Sequence, residues 1–276
     1  MPDSGTANAP PRRPAKASGS PSPPLKWAGG KRWLIPHLEP LWHRHRGRRL
    51  VEPFVGGLAV ALGLAPERAL LNDINGAAVN FYAWLQKGLR LTIPMRNEAE
   101  LYYRHRDEFN RLVTGRGGGT KKAAELFYYL NRTGYNGLCR FNSRGEYNVP
   151  FGRHATINYC RDFSPYAPVL APWRFSAVDF MVLELEPDDF IYADPPYDVP
   201  FTQYARDGFA WGRQVALAEW LATHPGPVVA SNQATERVVA LYDRLGFDLH
   251  FLDAPRFISR TGDRTPAREL LALKNV

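Results

Sequence analysis

The chain is short of sulfur, of long apolar runs and of acidic residues. Its 276 residues include two cysteines and three methionines. Cys139 and Cys160 form no Cys-x-x-Cys pair, so no disulfide framework is expected, and a reducing compartment fits. The seven histidines show no metal-ligand spacing, and no metal is expected. His43 and His45 stand among arginines and read as part of a solvated basic face. No apolar run approaches the length that spans a bilayer. The N-terminus lacks the apolar core of a signal peptide. Neither membrane insertion nor secretion is therefore expected, and the cytoplasm is the expected location. Acidic residues number 27 against 35 basic ones, a formal net charge of +8. The excess is localised: residues 101–160 hold ten basic and four acidic residues, and residues 1–24 three basic and one acidic. A basic segment interleaved with aromatics is the footprint of a polyanion-binding surface.

What the chain does have centres on Asp194-Pro195-Pro196-Tyr197. An apolar, β-rich run over 189–193 precedes it and reads as a buried strand. The two prolines end that strand, because neither can donate to a ladder. They also stiffen the backbone, so Asp194 and Tyr197 leave the strand end in fixed directions. Ligands of open α/β sheets bind at the carboxyl ends of strands. A carboxylate, a rigid carbonyl and an aromatic face there suit the gripping of an exocyclic amino group on a flat base. A plain strand-terminating turn is the simpler reading of Asp-Pro-Pro alone.

Upstream, residues 1–24 are rich in Pro, Ala, Ser and Gly, and the composition predicts a disordered tail. Order is expected from Leu25. In Lys26-Trp27-Ala28-Gly29-Gly30-Lys31 the glycines allow close approach to a ligand. The spacing of a phosphate loop is missing, which excludes a nucleoside-triphosphate site of that kind. A helix is expected over 32–42. A strand over 50–52 runs into Pro53-Phe54-Val55-Gly56-Gly57, a glycine turn opening a helix. A second strand over 70–73 ends on Asp73, about twenty positions on, where an acid commonly receives a ribose hydroxyl. A helix follows over 74–87. Residues 97–131 read as helical, broken by the glycine-rich stretch 115–119. In 131–153, Ser143-Arg144-Gly145 sits between alternating arms of Arg, Asn and aromatics, which reads as a β-hairpin suited to base edges rather than burial. From 172 the α/β pattern returns, with strands near 174–178, 189–193, 227–231, 247–253 and 268–273 and helices near 213–223 and 234–245. Residues 200–211 are expected to form a mobile loop beside the site, and 257–266 another polar loop.

Taken together, residues 25–31, 50–57, 72–75, 129–153 and 192–197 resemble the Dam family of DNA adenine methylases. The resemblance runs from about residue 25 to 275. It implies an α/β fold: a Rossmann-like S-adenosylmethionine-dependent methyltransferase sheet ending in an antiparallel strand pair, with an inserted helical/β-hairpin DNA-recognition domain. The implied division is a tail at 1–24, a catalytic domain at 25–75 and 170–276, and a target-recognition domain at 76–169. It further implies that Trp27, Lys31, Asp73 and Asp194 contact S-adenosylmethionine, with Phe54 and Gly56 in its glycine turn. Lys26 and Arg140 match guanine readers of a GATC site, and Tyr135 an aromatic wedge beside a flipped adenine. Asn136, Leu138, Pro150 and Arg153 match further DNA contacts. Two departures stand out: His154-Ala155-Thr156 replaces aromatic or basic residues, and the loop at 259–266 has fewer consecutive basic residues.

The implied chemistry is adenine-N6 methylation of double-stranded DNA by a monomer, without metal. A base inside a duplex must be flipped out to reach such a pocket. Asp194 and the Pro195 carbonyl would accept the two amino protons, with Pro196 setting the turn and Tyr197 stacking on the ring. C5-cytosine chemistry needs a thiolate after a proline, whereas Cys139 follows Leu138 and Cys160 follows Tyr159. The alternatives are N4-cytosine methylation, a catalytically inactive DNA-binding protein, and an RNA-modifying enzyme.

Overall fold

The computed structural model describes residues 21–197, 209–254 and 267–276. The tail up to residue 20, most of the loop expected at 200–211 and the whole of that at 257–266 lie outside the described residues. Ser22 and Pro24, assigned to the tail from composition, belong to the folded body. The Ser22 carbonyl accepts a hydrogen bond from Tyr166 Oη at 2.5 Å, and Pro24 is buried. That correction has a simple cause: Pro-rich composition does not register one local contact that anchors a chain.

Seven strands form one sheet: β1 (Leu50–Glu52), β2 (Ala69–Asn72), β3 (Trp173–Ser176), β4 (Phe190–Ala193), β5 (Val228–Gln233), β6 (Asp248–Ala254) and β7 (Ala267–Lys274). Their order is β3-β2-β1-β4-β5-β7-β6. The first five are parallel neighbours, and β7 runs antiparallel between β5 and β6. β1, β2 and β4 are buried along their whole length. This is why they read as continuous apolar runs: both faces of a parallel sheet are covered.

The two-residue period of a strand sorts these side chains onto two faces. Phe190 and Tyr192 join the core with α1 (Ile35–His43), α2 (Ala59–Leu64) and α3 (Gly76–Gln86). Ile191 and Ala193 join the core with α7 (Trp211–Ala222) and α8 (Glu236–Arg244). α3 starts where Asn75 Oδ1 accepts the backbone N–H groups of Ala77 and Ala78. Thr235 caps α8 in the same manner.

Between β2 and β3 the chain adds α4 (Ala99–Val113), α5 (Lys121–Thr133) and the short α6 (Ala167–Leu170). Thr120 caps α5 through the Ala123 N–H. α3 joins this segment to the sheet. On one side the Tyr82 ring lies 5.5 Å from Phe175 of β3; on the other Phe81 stacks on Tyr128 of α5 at 5.4 Å and 8°. Those aromatics belong to one continuous cluster, so the added helices share a core with one face of the sheet.

The stretch 131–153 departs from the expected hairpin. Its pairing is confined to isolated bridges, Gly134 with Phe151 and Phe141 with Tyr147, and no regular strand forms there among the described residues. The turn itself sits where expected, tied by Asn142, whose Oδ1 accepts from the Arg144 and Glu146 N–H groups. The composition also misleads about burial: Tyr147 and Val149 are buried against Tyr102 and Phe109. Asn110 draws that arm inward, donating to the Tyr147 carbonyl and accepting from its N–H.

Candidate active site

The strand order reverses at the β1/β4 junction, with β2 on one side and β5 on the other. Crevices outside the carboxyl ends of strands at such a point are where doubly wound sheets take ligands. A cavity of about 770 Å³ opens there. It lies past the end of β1, where Pro53-Phe54-Val55-Gly56-Gly57 turns toward α2, and past the end of β4, where Asp194-Pro195-Pro196-Tyr197 begins.

The glycine turn is shaped by a residue from far upstream. Trp27 lies against it so closely that a Cβ on Gly56 would sit 2.7 Å from Trp27 Nε1, and one on Gly57 2.8 Å from Trp27 Cβ. Gly56 also has φ +49, a left-handed conformation that glycine adopts without strain. Its N–H donates to Asp73 Oδ2 at 3.0 Å, and its carbonyl accepts from Tyr82 Oη. Asp73 Oδ1 accepts from the Asn75 N–H at 2.9 Å, so the acid after β2 braces the turn after β1.

Asp194 is held from two directions. Lys31 Nζ lies 2.9 Å from its Oδ1, and Ser231 Oγ of β5 donates to the same oxygen at 3.1 Å. Ser231 is in turn 3.0 Å from Tyr192 Oη. Lys31 is buried, donates to the Gly29 carbonyl at 3.0 Å and sits 4.7 Å from the Tyr197 ring centroid. Tyr197 Oη donates to Glu269 Oε1 of β7 at 2.5 Å. Behind the prolines, Gln214 Nε2 donates to the Pro196 carbonyl at 2.8 Å, and Asn232 Nδ2 donates to Gln214 Oε1 at 3.0 Å.

The wall carries both signs, Glu52, Asp73, Asp179 and Asp194 beside Lys31, Arg140 and Arg213. Burial pushes the Asp194 carboxyl up, and the Lys31 ammonium opposes that shift. Burial also raises Asp73, and raises Glu52, at the end of β1, well above the usual carboxylate range. Glu52 Oε1 is buried with no hydrogen-bond partner among the described residues. Burial pushes the Cys139 thiol up to about 12, so it stays protonated, and its sulfur takes an N–H from Asn75.

Trp27, Lys31, Phe54, Gly56, Asp73, Asp194, Pro195, Pro196 and Tyr197 all line this cavity. Leu138 and Arg140, from the segment between β2 and β3, line it too. Arg140 is oriented by Asn148, whose Oδ1 accepts from its Nε at 2.8 Å. Lys26, Tyr135, Asn136, Pro150 and Arg153 lie outside the wall. Tyr135 is half-exposed, and its N–H donates to the Pro150 carbonyl at 2.9 Å. Asn136 and Arg153, both exposed, have φ of +53 and +48. Lys26 Nζ donates to the Arg132 carbonyl, and burial lowers its pKa.

Sequence reasoning missed Glu52, Gln214, Ser231, Asn232 and Glu269. A signal existed for most of them: each is a polar residue within a buried strand, where such groups are expected only with a partner or a task. Gln214 carries no such signal, being one polar residue on a helix. Among the described residues no group of three or more His, Cys, Asp or Glu is placed to hold a metal ion, and no helix is long and apolar enough to cross a membrane.

Comparison with known proteins agrees with this architecture. Residues 27–256 match the family model of the D12 class N6 adenine-specific DNA methyltransferases. The chain is 36% identical over 277 aligned positions to the DNA adenine methylase of Escherichia coli strain K12, covering 90% of this chain and 94% of that one. The DNA adenine methylase of Vibrio cholerae is 36% identical with the same coverage, and the Retron Ec67 DNA adenine methylase of Escherichia coli is 34% identical over 90% of each chain. With a proline-paired strand end at the switch point of a mixed α/β sheet, and a match over most of its length, the chain belongs to the D12 class of N6 adenine-specific DNA methyltransferases.

Proposed function

We propose that the enzyme transfers the methyl group of S-adenosylmethionine to the adenine of GATC in double-stranded DNA, after flipping that adenine out of the helix. The observation that carries this reading is the meeting of two groups of residues in one cavity. Asp194 follows β4 and Lys31 precedes α1, whereas Leu138 and Arg140 come from the added segment. The cavity suits the donor. Asp73 and Asp194 stand on its wall, and carboxylates there would complement a nucleoside bearing a sulfonium and an ammonium. Trp27, Lys31, Phe54, Gly56, Asp73 and Asp194 would hold it. When bound, the donor supplies an electrophilic methyl group on sulfur.

The chain's own groups do the rest. Asp194 Oδ and the Pro195 carbonyl accept hydrogen bonds from the two amino N–H groups of the base, which localises the nitrogen lone pair and stabilises the developing charge until the nitrogen sheds one proton. Pro196, tied to Gln214, holds the turn, and Tyr197 offers its ring face to the base. Transfer then depends on alignment, because bound reactants already oriented avoid most of the entropic cost of meeting.

Residues 76–169 act as the target-recognition part of the molecule. Lys26 and Arg140 read guanines, Tyr135 fills the gap beside the extruded base, and Asn136, Leu138, Pro150 and Arg153 position the duplex. The same reading makes the enzyme a cytoplasmic monomer on its DNA. Duplexes carrying GATC, each single-base variant of it, and a control lacking the site would be incubated with labelled S-adenosylmethionine. The product is expected to be N6-methyladenine in GATC alone. Label on cytosine, or equal label on all duplexes, would refute the reading.

A further inference from the structure

Glu269 is the third residue of β7, opposite Gln233 of β5 and Leu252 of β6. It is buried, in a run that continues Leu270-Leu271-Ala272-Leu273. Burial pushes its carboxyl up. An acid in such a place lowers stability unless its oxygens are used. Here Oε1 accepts the Tyr197 hydroxyl at 2.5 Å and lies 3.7 Å from Lys31 Nζ, the group paired with Asp194. Tyr197 and Lys31 line the cavity, and Glu269 stands behind them. The tyrosine leaves a proline pair whose second carbonyl is already tied to Gln214, so its backbone is fixed at one end. The ring still has its own side-chain torsions, and the bond from its far end to Glu269 removes them.

We propose that Glu269 is a positioning residue for methyl transfer: its carboxylate holds the Tyr197 phenol so that the ring presents a set face to the extruded base. This rests on the reading of Tyr197 as the stacking partner of a flipped adenine. Glutamine at 269 retains an oxygen that can accept the phenol proton, whereas leucine cannot. Phenylalanine at 197 removes the same bond from the other side.

The test compares the parent enzyme with Glu269→Gln, Glu269→Leu, Tyr197→Phe and the Glu269→Leu/Tyr197→Phe pair, each as the full chain. Two readouts are taken: the single-turnover rate on a GATC duplex, and the emission of 2-aminopurine placed at the target adenine. Misplacement of a bound group by about 1 Å can cost on the order of 10²-fold in rate. Glu269→Leu and Tyr197→Phe are therefore each expected to slow transfer by about that much and to change the bound 2-aminopurine emission. Glu269→Gln is expected to keep most of both. The double variant is expected to lose no more than either single one, because one bond has been cut twice. Additive losses, a Glu269→Gln variant as impaired as Glu269→Leu, or an unimpaired Glu269→Leu would overturn the proposal. Should Glu269→Leu fail to fold, Tyr197→Phe against Glu269→Gln decides it alone. A parent enzyme that methylates GATC without any 2-aminopurine signal would instead refute the flipping reading on which it rests.

Discussion

At the scale of single residues, three side chains can be tested separately. Asp194→Ala removes the partner of Lys31 and, on the proposed reading, the acceptor for one amino N–H. Single-turnover transfer is expected to fall by at least about 10²–10³-fold, while DNA binding by mobility shift stays close to the parent's. On the proposed reading, Arg140→Ala is expected to act on selection. A guanidinium can meet O6 and N7 of one guanine, so its loss is expected to cost about 1–3 kcal/mol of discrimination at a single base pair, read from rates on GATC and its variants. A uniform loss on all duplexes would make Arg140 a phosphate contact. Glu52 bears on stability. Burial, and then the nearby Asp194 charge, raise its carboxyl well above the ordinary 4.5. A raised carboxyl contributes stability that is complete below the unfolded value and is lost as pH rises toward the folded one. Glu52→Gln cannot lose a proton. Its stability relative to the parent is therefore expected to rise with pH above about 4.5, at no more than about 1.36 kcal/mol per pH unit. Urea titrations from pH 5 to 8 check this, and a constant difference would contradict it.

At the scale of elements, the join between α5 and the strand-like segment at Lys26 matters most. Asn131, buried near the end of α5, accepts from the Lys26 N–H at 2.9 Å and donates to its carbonyl at 2.8 Å. One side-chain amide thus imitates a β-bridge. On the other side, a Cβ on Gly137 would sit 2.6 Å from Lys26 Cβ, so only glycine lets the chain pass. The next residue, Trp27, lies on the glycine turn of the cavity. Asn131→Ala would leave the part-buried Lys26 N–H and carbonyl without their partners, at about 1–2 kcal/mol each. A loss of roughly 2–4 kcal/mol in urea unfolding is expected. A loss below about 0.5 kcal/mol would show that water replaces both bonds.

At the scale of the whole molecule, the net basic excess falls in residues 101–160 and 1–24, and the rest of the chain carries balanced charge. Deleting residues 1–20 removes three basic residues and one acidic residue. The expected result is an unchanged melting temperature and site choice, with a slightly shallower dependence of DNA affinity on salt. Extending the deletion through Pro24 also removes the Ser22 carbonyl that Tyr166 bonds. A fall of about 2–4 °C is expected for each kcal/mol so lost, measured by calorimetry. An equal melting temperature for both truncations would place the start of the cooperative body after Pro24.

Much of this protein could be read without coordinates because its signals are local. Apolar runs of strand length, the proline pair after β4 and the glycines after β1 each act within a few residues, so strands, helices and the Asp194 turn stand close to where they were expected. The sequence by itself also determined which family pattern the chain carries, since the motif residues are contiguous. Tertiary structure alone decided three things. It placed β7 between β5 and β6, which brings Glu269 to Tyr197 across 72 positions of sequence. It laid Trp27 on a turn about thirty residues away. It also buried the polar-looking arm of 131–153, because Asn110 supplies hydrogen bonds that composition does not reveal. Each of these depends on partners distant in sequence, and burial of a polar group becomes tolerable only when such a partner arrives.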